Sequence, residues 1–77
     1  MALFVPYVLI RSDEREVEYA FGASDAELDR RLLVHVLTGD HLVRDGREDR
    51  AVHALLARVR RQQRERGEWP RGGAVQS

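Results

Sequence analysis

The spacing of apolar residues changes along the chain, from about two residues in the first half to about 3.6 residues after position 50. Between Val5 and Phe21 an aliphatic run leads into a polar turn, Ser12-Asp13-Glu14-Arg15, which is followed by strict alternation from Glu16 onward. Such alternation is typical of a half-buried strand. The segment therefore predicts a β-hairpin. Because Pro6 cannot donate a ladder hydrogen bond, we expect the first strand at the edge of the sheet.

Residues 24–37 are compatible with two interpretations. Ser24 and Glu27 form a capping-box pattern, and the apolar residues after them lie at helical spacing, which favours a helix at about 25–37. The run LLVHVL, however, is compact and rich in β-formers, and Thr38-Gly39-Asp40 supplies a turn before HLVR. We therefore favour two strands and keep the order β-β-α-β-α as the alternative.

The segment after residue 50 predicts an amphipathic helix. Asp45-Gly46, with acids in the first turn, indicates its start, and Gly67 followed by Pro70 indicates its end. Its apolar stripe consists of Val52, Leu55, Leu56 and Val59. The tail at 71–77 contains two glycines and no periodicity, so we expect it to be flexible.

These elements define a small α+β domain at residues 1–70, a four-stranded antiparallel sheet (β-β-β-β-α) with one helix across one face. A two-residue loop at Asp13-Glu14 would place Val8 and Ile10 on the helix side, together with Val17, Tyr19 and Phe21. A second loop at Gly39-Asp40 would place Val36 opposite Val43 and bring Leu32 and Val34 into the same core.

The opposite face of this sheet is expected to be apolar and uncovered, since the sequence offers no second helix. Apolar patches larger than a few hundred Å² are uncommon on soluble monomers. We therefore expect a homodimer or a protein partner at this face. Trp69 is a further candidate anchor, although it could also pack back onto the small core. The predicted partner-binding residues are Tyr7, Leu9, Leu33, Leu37, Leu42 and Trp69.

Charge is divided unequally, although the chain as a whole is neutral. Residues 1–49 contain six arginines and eleven acids, and residues 50–77 contain seven arginines and two acids. A cationic helix face could bind nucleic-acid phosphates or an acidic protein. Zero net charge and the lack of interleaved aromatics make nucleic acid the second choice. The arginines concerned are Arg50, Arg58, Arg60, Arg61 and Arg64.

Candidate chemistry is sparse. The absence of cysteine excludes disulfides, thiolate catalysis and sulfur-based zinc sites, and it favours a reducing, cytoplasmic location. The histidines lack the i, i+4 spacing of a helical metal pair, and the acids of the first hairpin lack a calcium-loop pattern. No nucleophile elbow or phosphate-binding glycine loop is present.

The apolar stretch 2–10 is too short for a membrane-spanning helix, which needs about 20 residues. We therefore expect no membrane association. Because metal-ligand and cofactor-binding motifs are also missing from the sequence, we expect no metal and no cofactor. The sequence favours a non-enzymatic interaction or accessory module, with a nucleic-acid-binding regulator as the alternative.

Overall fold

The computed structural model describes residues 3–76 and contains one five-stranded antiparallel sheet and one helix. The predicted α+β class is therefore confirmed, with one strand more than expected. The order of strands across the sheet is β4-β3-β2-β1-β5. The elements are β1 (Phe4–Ser12), β2 (Glu16–Phe21), β3 (Arg30–His35), β4 (His41–Val43), α1 (Arg50–Arg66) and β5 (Gly72–Gln76).

The fifth strand replaces most of the expected flexible tail. In β5, Val75 lies opposite Val5 of β1 and is only 9% exposed. The two glycines give no strand signal in the sequence. In the structure Gly73 adopts a φ of +150°, and its backbone runs close to the Tyr7 ring. Residue 77, also assigned to the tail, lies outside the described residues.

Because β5 pairs with β1, our placement of β1 at the edge of the sheet is wrong. Pro6 is tolerated inside the sheet because it lies at the end of the β1–β2 ladder. Its carbonyl accepts the Gly22 N–H at 3.3 Å, and Gly22 follows the last residue of β2. The ladder between β1 and β2 ends here, so the missing N–H of Pro6 does not interrupt it.

The register of the first hairpin also differs from the prediction. Asp13 Oδ1 accepts the N–H groups of Arg15 and Glu16 at 2.8 and 2.9 Å, which stabilises a longer turn and places Ser12 opposite Val17. A β-bulge between Leu9 and Arg11 then shifts the pairing by one residue. A one-residue shift reverses the faces of a strand, so the side of β1 that we expected to face solvent is turned toward the helix.

The second hairpin keeps its predicted faces despite a different turn. Leu32, rather than Val36, lies opposite Val43, because a turn over residues 36–40 is closed by the Gly39 N–H donating to the His35 carbonyl at 2.9 Å. This is a shift of four residues, an even number, so the same side chains remain on the core side. The alternative helix at about 25–37 is excluded by β3.

Helix α1 begins later than predicted but ends where expected. Asp49 is its N-cap and accepts the Val52 N–H at 3.1 Å, so the acids lie before the first turn instead of within it. At the other end, Gly67 adopts a φ of +76° and donates to the Gln63 carbonyl at 2.8 Å. Its four predicted apolar residues are all buried against the sheet: Val52, Leu55, Leu56 and Val59.

Arg30 connects the sheet to the start of α1. Its guanidinium lies 4.7 Å from the centre of the Phe21 ring and donates to both Asp45 and Asp49, with shortest distances of 2.7 and 3.0 Å. Another donor reaches the Arg47 carbonyl at 2.9 Å. A single largely buried side chain therefore fixes the connection between β4 and α1.

Candidate functional site

The sheet face turned away from α1, called the open face below, has no covering helix or sheet among residues 3–76. Two neighbouring rows of side chains cross it from β4 to β1. The first row consists of Leu42, Leu33, Glu18 and Arg11, and the second consists of Arg44, Arg31, Ala20 and Val8.

Glu18 lies at the centre of the open face and is only 8% exposed. Its two carboxylate oxygens accept hydrogen bonds from the Nε atoms of Arg11 and Arg44, each at 3.3 Å. Buried charges are costly unless they are paired. The two arginines satisfy this acid and shield it from solvent, and their own guanidinium groups stay partly exposed.

Arg11 extends this network to the hairpin turn, where it also donates to Glu16 and, at 2.7 Å, to Asp13. Hydrogen bonds from the Glu16 and Arg15 amides hold the pKa of Asp13 below its ordinary value, and Arg11 lowers it further. The hydrogen bonds to Glu16 and Glu18 raise the pKa of Arg11. Within this network and the neighbouring Arg31, three arginines are thus matched by three acids, Asp13, Glu16 and Glu18.

A loop covers one end of the open face. Residues 23–29 fold back so that the backbone of Glu27 and Leu28 lies directly against Gly22. Ala20 and Pro6, whose side chains would otherwise face solvent, are buried. Arg31 holds the loop by donating to the Leu28 carbonyl at 2.9 Å. The uncovered area is therefore smaller than the sequence suggested.

The open face still exposes large apolar side chains. Leu42 is 61% exposed beside the half-buried Leu33, and Val8 is 39% exposed. Ile10, at the bulge, is 48% exposed. Leu33 and Leu42 thus lie where we predicted. The predicted register places Val8 and Ile10 in the core, and nothing local in the sequence reveals the bulge that exposes them.

The other predicted contact residues lie elsewhere. Tyr7 is 4% exposed on the helix side, where its ring meets that of Tyr19 edge-on at 5.7 Å, and Leu9 packs against the same core. The bulge that reverses β1 accounts for both corrections. Leu37 is exposed, but it lies in the β3–β4 turn beside α1 rather than on the open face.

Trp69 packs partly against the core after the end of α1. The following residue, Pro70, accepts a 2.8 Å hydrogen bond from the Tyr19 hydroxyl through its carbonyl, which fixes the turn into β5. Burial raises the pKa of Tyr19, and Tyr7 raises it further. The exposed part of Trp69 borders a cleft of about 200 Å³ that also contacts Leu37. Trp69 also borders a larger cleft, of about 630 Å³, whose lining includes Val8 of the open face.

The helix arginines form a separate cationic surface. Arg50, Arg61 and Arg64 are exposed, whereas Arg58 and Arg60 are half-buried, and Arg60 donates to the Gly39 carbonyl. In the part of the chain that the structure describes, these five arginines form no ion pairs. The arginines that do are Arg11, Arg30, Arg44 and Arg47.

The described residues hold no group of three or more histidines, cysteines or acids placed to bind a metal ion. None of their helices is long and apolar enough to cross a membrane. No protein-family model, curated protein or solved structure matched the chain.

Proposed function

We propose that this protein is a non-enzymatic protein–protein interaction module whose contact surface is the open face, and that two copies associate through it. The observation that carries the proposal is the exposure of Val8 and Leu42 on a face that no helix or second sheet covers among residues 3–76. Full burial of such a side chain from water contributes about 1.5–3 kcal/mol, and Val8 and Leu42, at 39% and 61% exposed, would each contribute about half of that. Absence of cysteine supports a cytoplasmic location, which we propose as well.

The charge on the open face favours a second copy as the partner. The network around Glu18, with the neighbouring Arg31, contains three arginines and three acids, and the buried Glu18 is already paired. Two such networks would meet without net repulsion. Sheets packed face to face lie about 10 Å apart, a distance that interdigitating Val and Leu side chains can fill.

The test is a double Val8→Glu and Leu42→Glu variant, measured by size-exclusion chromatography with light scattering. The wild type is expected to exceed the 8.9 kDa of one chain. The double variant should lose this contact, with a dissociation constant raised at least about tenfold. The matched control is Leu37→Glu, because Leu37 is 85% exposed but lies outside the open face. An unchanged mass for the double variant would overturn the proposal.

A second candidate function, nucleic-acid binding through α1, is favoured by the exposed Arg50, Arg61 and Arg64. Absorbance at 260 and 280 nm in the same chromatography tests it. Bound nucleic acid that is released at high salt would support the arginine surface, since phosphate contacts weaken steeply as salt rises. A protein that is free of nucleic acid at low salt would count against it.

A further inference from the structure

The backbone N–H and C=O groups of β5 point either toward β1 or toward the outer edge of the sheet. Which of them point outward can be worked out from the hydrogen bond of Pro6 in β1. The Pro6 carbonyl accepts from Gly22, so Pro6 points its backbone toward β2. In antiparallel sheets alternate residues point their N–H and C=O groups to opposite neighbours. Val5 and Tyr7, which flank Pro6, therefore form their backbone hydrogen bonds with β5. Leu9, the next residue in this alternation, also points toward the β5 side, where its N–H donates to the Arg71 carbonyl at 2.8 Å.

The same alternation orients β5. Val75 and Gly73, which lie opposite Val5 and Tyr7, point their backbone groups toward β1. The intervening residues consequently point theirs away from the sheet, where no other described strand lies. Three N–H groups and three C=O groups are left free for an added strand: those of Gly72, Ala74 and Gln76.

The two edges of the sheet differ in protection. The edge strand β4 is three residues long, lies between Asp40 and Arg44, and its His41 ring contacts Glu48 at 2.9 Å. Short, charged edges discourage pairing with another chain. β5 has five residues, none charged and none proline. It therefore retains the features of a strand that accepts a partner.

We propose that β5 pairs antiparallel with β5 of a second copy, with Ala74 facing Ala74 of that copy. In this register Gly72 faces Gln76 of the second copy, and the outward groups of both strands form about six backbone hydrogen bonds. The contact joins two sheets into one of ten strands. It uses an edge rather than the open face, so it does not depend on the function proposed above.

A second copy fits this edge because the register is symmetric. A two-fold axis midway between the two Ala74 residues places no like charges opposite each other, and all the facing side chains are uncharged. Phe4 and Val8, on the neighbouring strand β1, are 42% and 39% exposed and would flank the junction on the open-face side. Two-fold dimers of this self-complementary kind are the commonest oligomers.

The experiment places opposite charges at the axis. Ala74→Lys and Ala74→Glu should each weaken the edge dimer at least about tenfold, because residue 74 meets itself. An equimolar mixture of the two should restore the contact as a heterodimer. Light scattering on the separate and mixed proteins measures this. Ala74→Thr, which keeps a neutral side chain and the N–H, is the matched control and should associate like the wild type.

Ala74→Pro gives an independent test, because the Ala74 N–H points outward and its loss breaks no bond between β1 and β5. When both proteins are measured as monomers, this variant should have the same melting temperature as the wild type. It should nevertheless lose the edge contact. Association of the Lys or Pro variant with wild-type strength would overturn the proposal, as would charged variants that do not pair when mixed. A single Leu42→Glu variant separates the two interfaces, because Leu42 lies on β4, at the opposite edge of the sheet from β5. If the open-face contact alone fails, this variant still forms the edge dimer.

Discussion

At the scale of single residues, Gly22 determines how much of the open face is covered. It lies just after β2, where the returning backbone of Glu27 and Leu28 occupies the space that a side chain would need. Glycine has no Cβ and permits this approach. The loop in turn buries Pro6 and Ala20, which would otherwise enlarge the apolar surface.

Gly22→Ala should therefore destabilise the protein strongly. A methyl group at this position would overlap the Glu27 carbonyl, and overpacking of this kind costs about 3 kcal/mol. Gly39→Ala is the comparison, because Gly39 has open space around it but a φ of +79°, for which about 1 kcal/mol is expected. Chemical denaturation of both variants measures the difference. Equal losses of stability would contradict the packing explanation.

Glu18 shows a different kind of residue-level constraint. It lies between Leu33 and Arg11 in the first row of the open face, and its carboxylate accepts hydrogen bonds from Arg11 and Arg44. The pair with Arg44 joins β2 to a residue just beyond β4, and the pair with Arg11 joins β2 to β1. The charged groups thus tie β2 to β1 and to the end of β4, across β3, which presents Leu33.

At the scale of elements, the connection between β4 and α1 depends on charge. Arg30 holds Asp45 and Asp49 together, and Asp49 also caps the helix. The hydrogen bond from Arg30, with that from the Arg47 amide, lowers the pKa of Asp45 to about 2 from its ordinary 3.8. The pKa of Asp49 is also lowered: burial opposes this shift, and hydrogen bonds from the Val52 amide and Arg30 outweigh it.

These shifts predict acid sensitivity. A carboxyl group with a lower pKa in the folded state contributes stability above its unfolded pKa and loses that contribution as pH falls. The free energy of unfolding should decline as pH falls below about 4 toward 2, the window set by Asp45. Asp45→Asn should lower stability at pH 7 and flatten this decline, as measured by urea denaturation across pH. Glu65→Gln, an exposed acid on α1, is the control, and an equal flattening there would refute the assignment.

At the scale of the whole molecule, β5 completes the sheet. It follows the helix, covers the side of β1 away from β2, and contributes Val75 to the core between sheet and helix. The turn that delivers it is held by Tyr19, from the centre of the sheet, through the Pro70 carbonyl. A domain of this size has little core to lose, since single cores of small domains supply only about 3–5 kcal/mol.

A chain that ends at Arg71 should therefore be severely destabilised. Removal of β5 deletes the buried Val75 and uncovers Val5 and Tyr7, which we expect to lower the free energy of unfolding by about 3 kcal/mol or more. Circular dichroism during urea denaturation measures the loss. Gln76→Ala changes only an exposed side chain of the same strand and should stay within about 0.5 kcal/mol of the wild type. A truncated chain with wild-type stability would mean that β5 is dispensable.

Elements with local signals could be predicted from the order of amino acids. The apolar stripe of α1 and its end at Gly67 depend on residues three or four positions apart, and the faces of β2 follow from strict alternation. These signals were sufficient to predict the α+β class and the placement of Leu33 and Leu42 on the open face.

The face of β1 and the existence of β5, in contrast, depend on long-range contacts. One extra residue at the bulge between Leu9 and Arg11 exchanges the buried and exposed sides of β1, and a continuous aliphatic run has no alternation that could reveal it. Gly72 and Gly73 carry no strand signal, and their conformation comes from pairing with Tyr7 and Val8. Both features depend on contacts between segments distant in sequence, whose energies a local pattern does not contain.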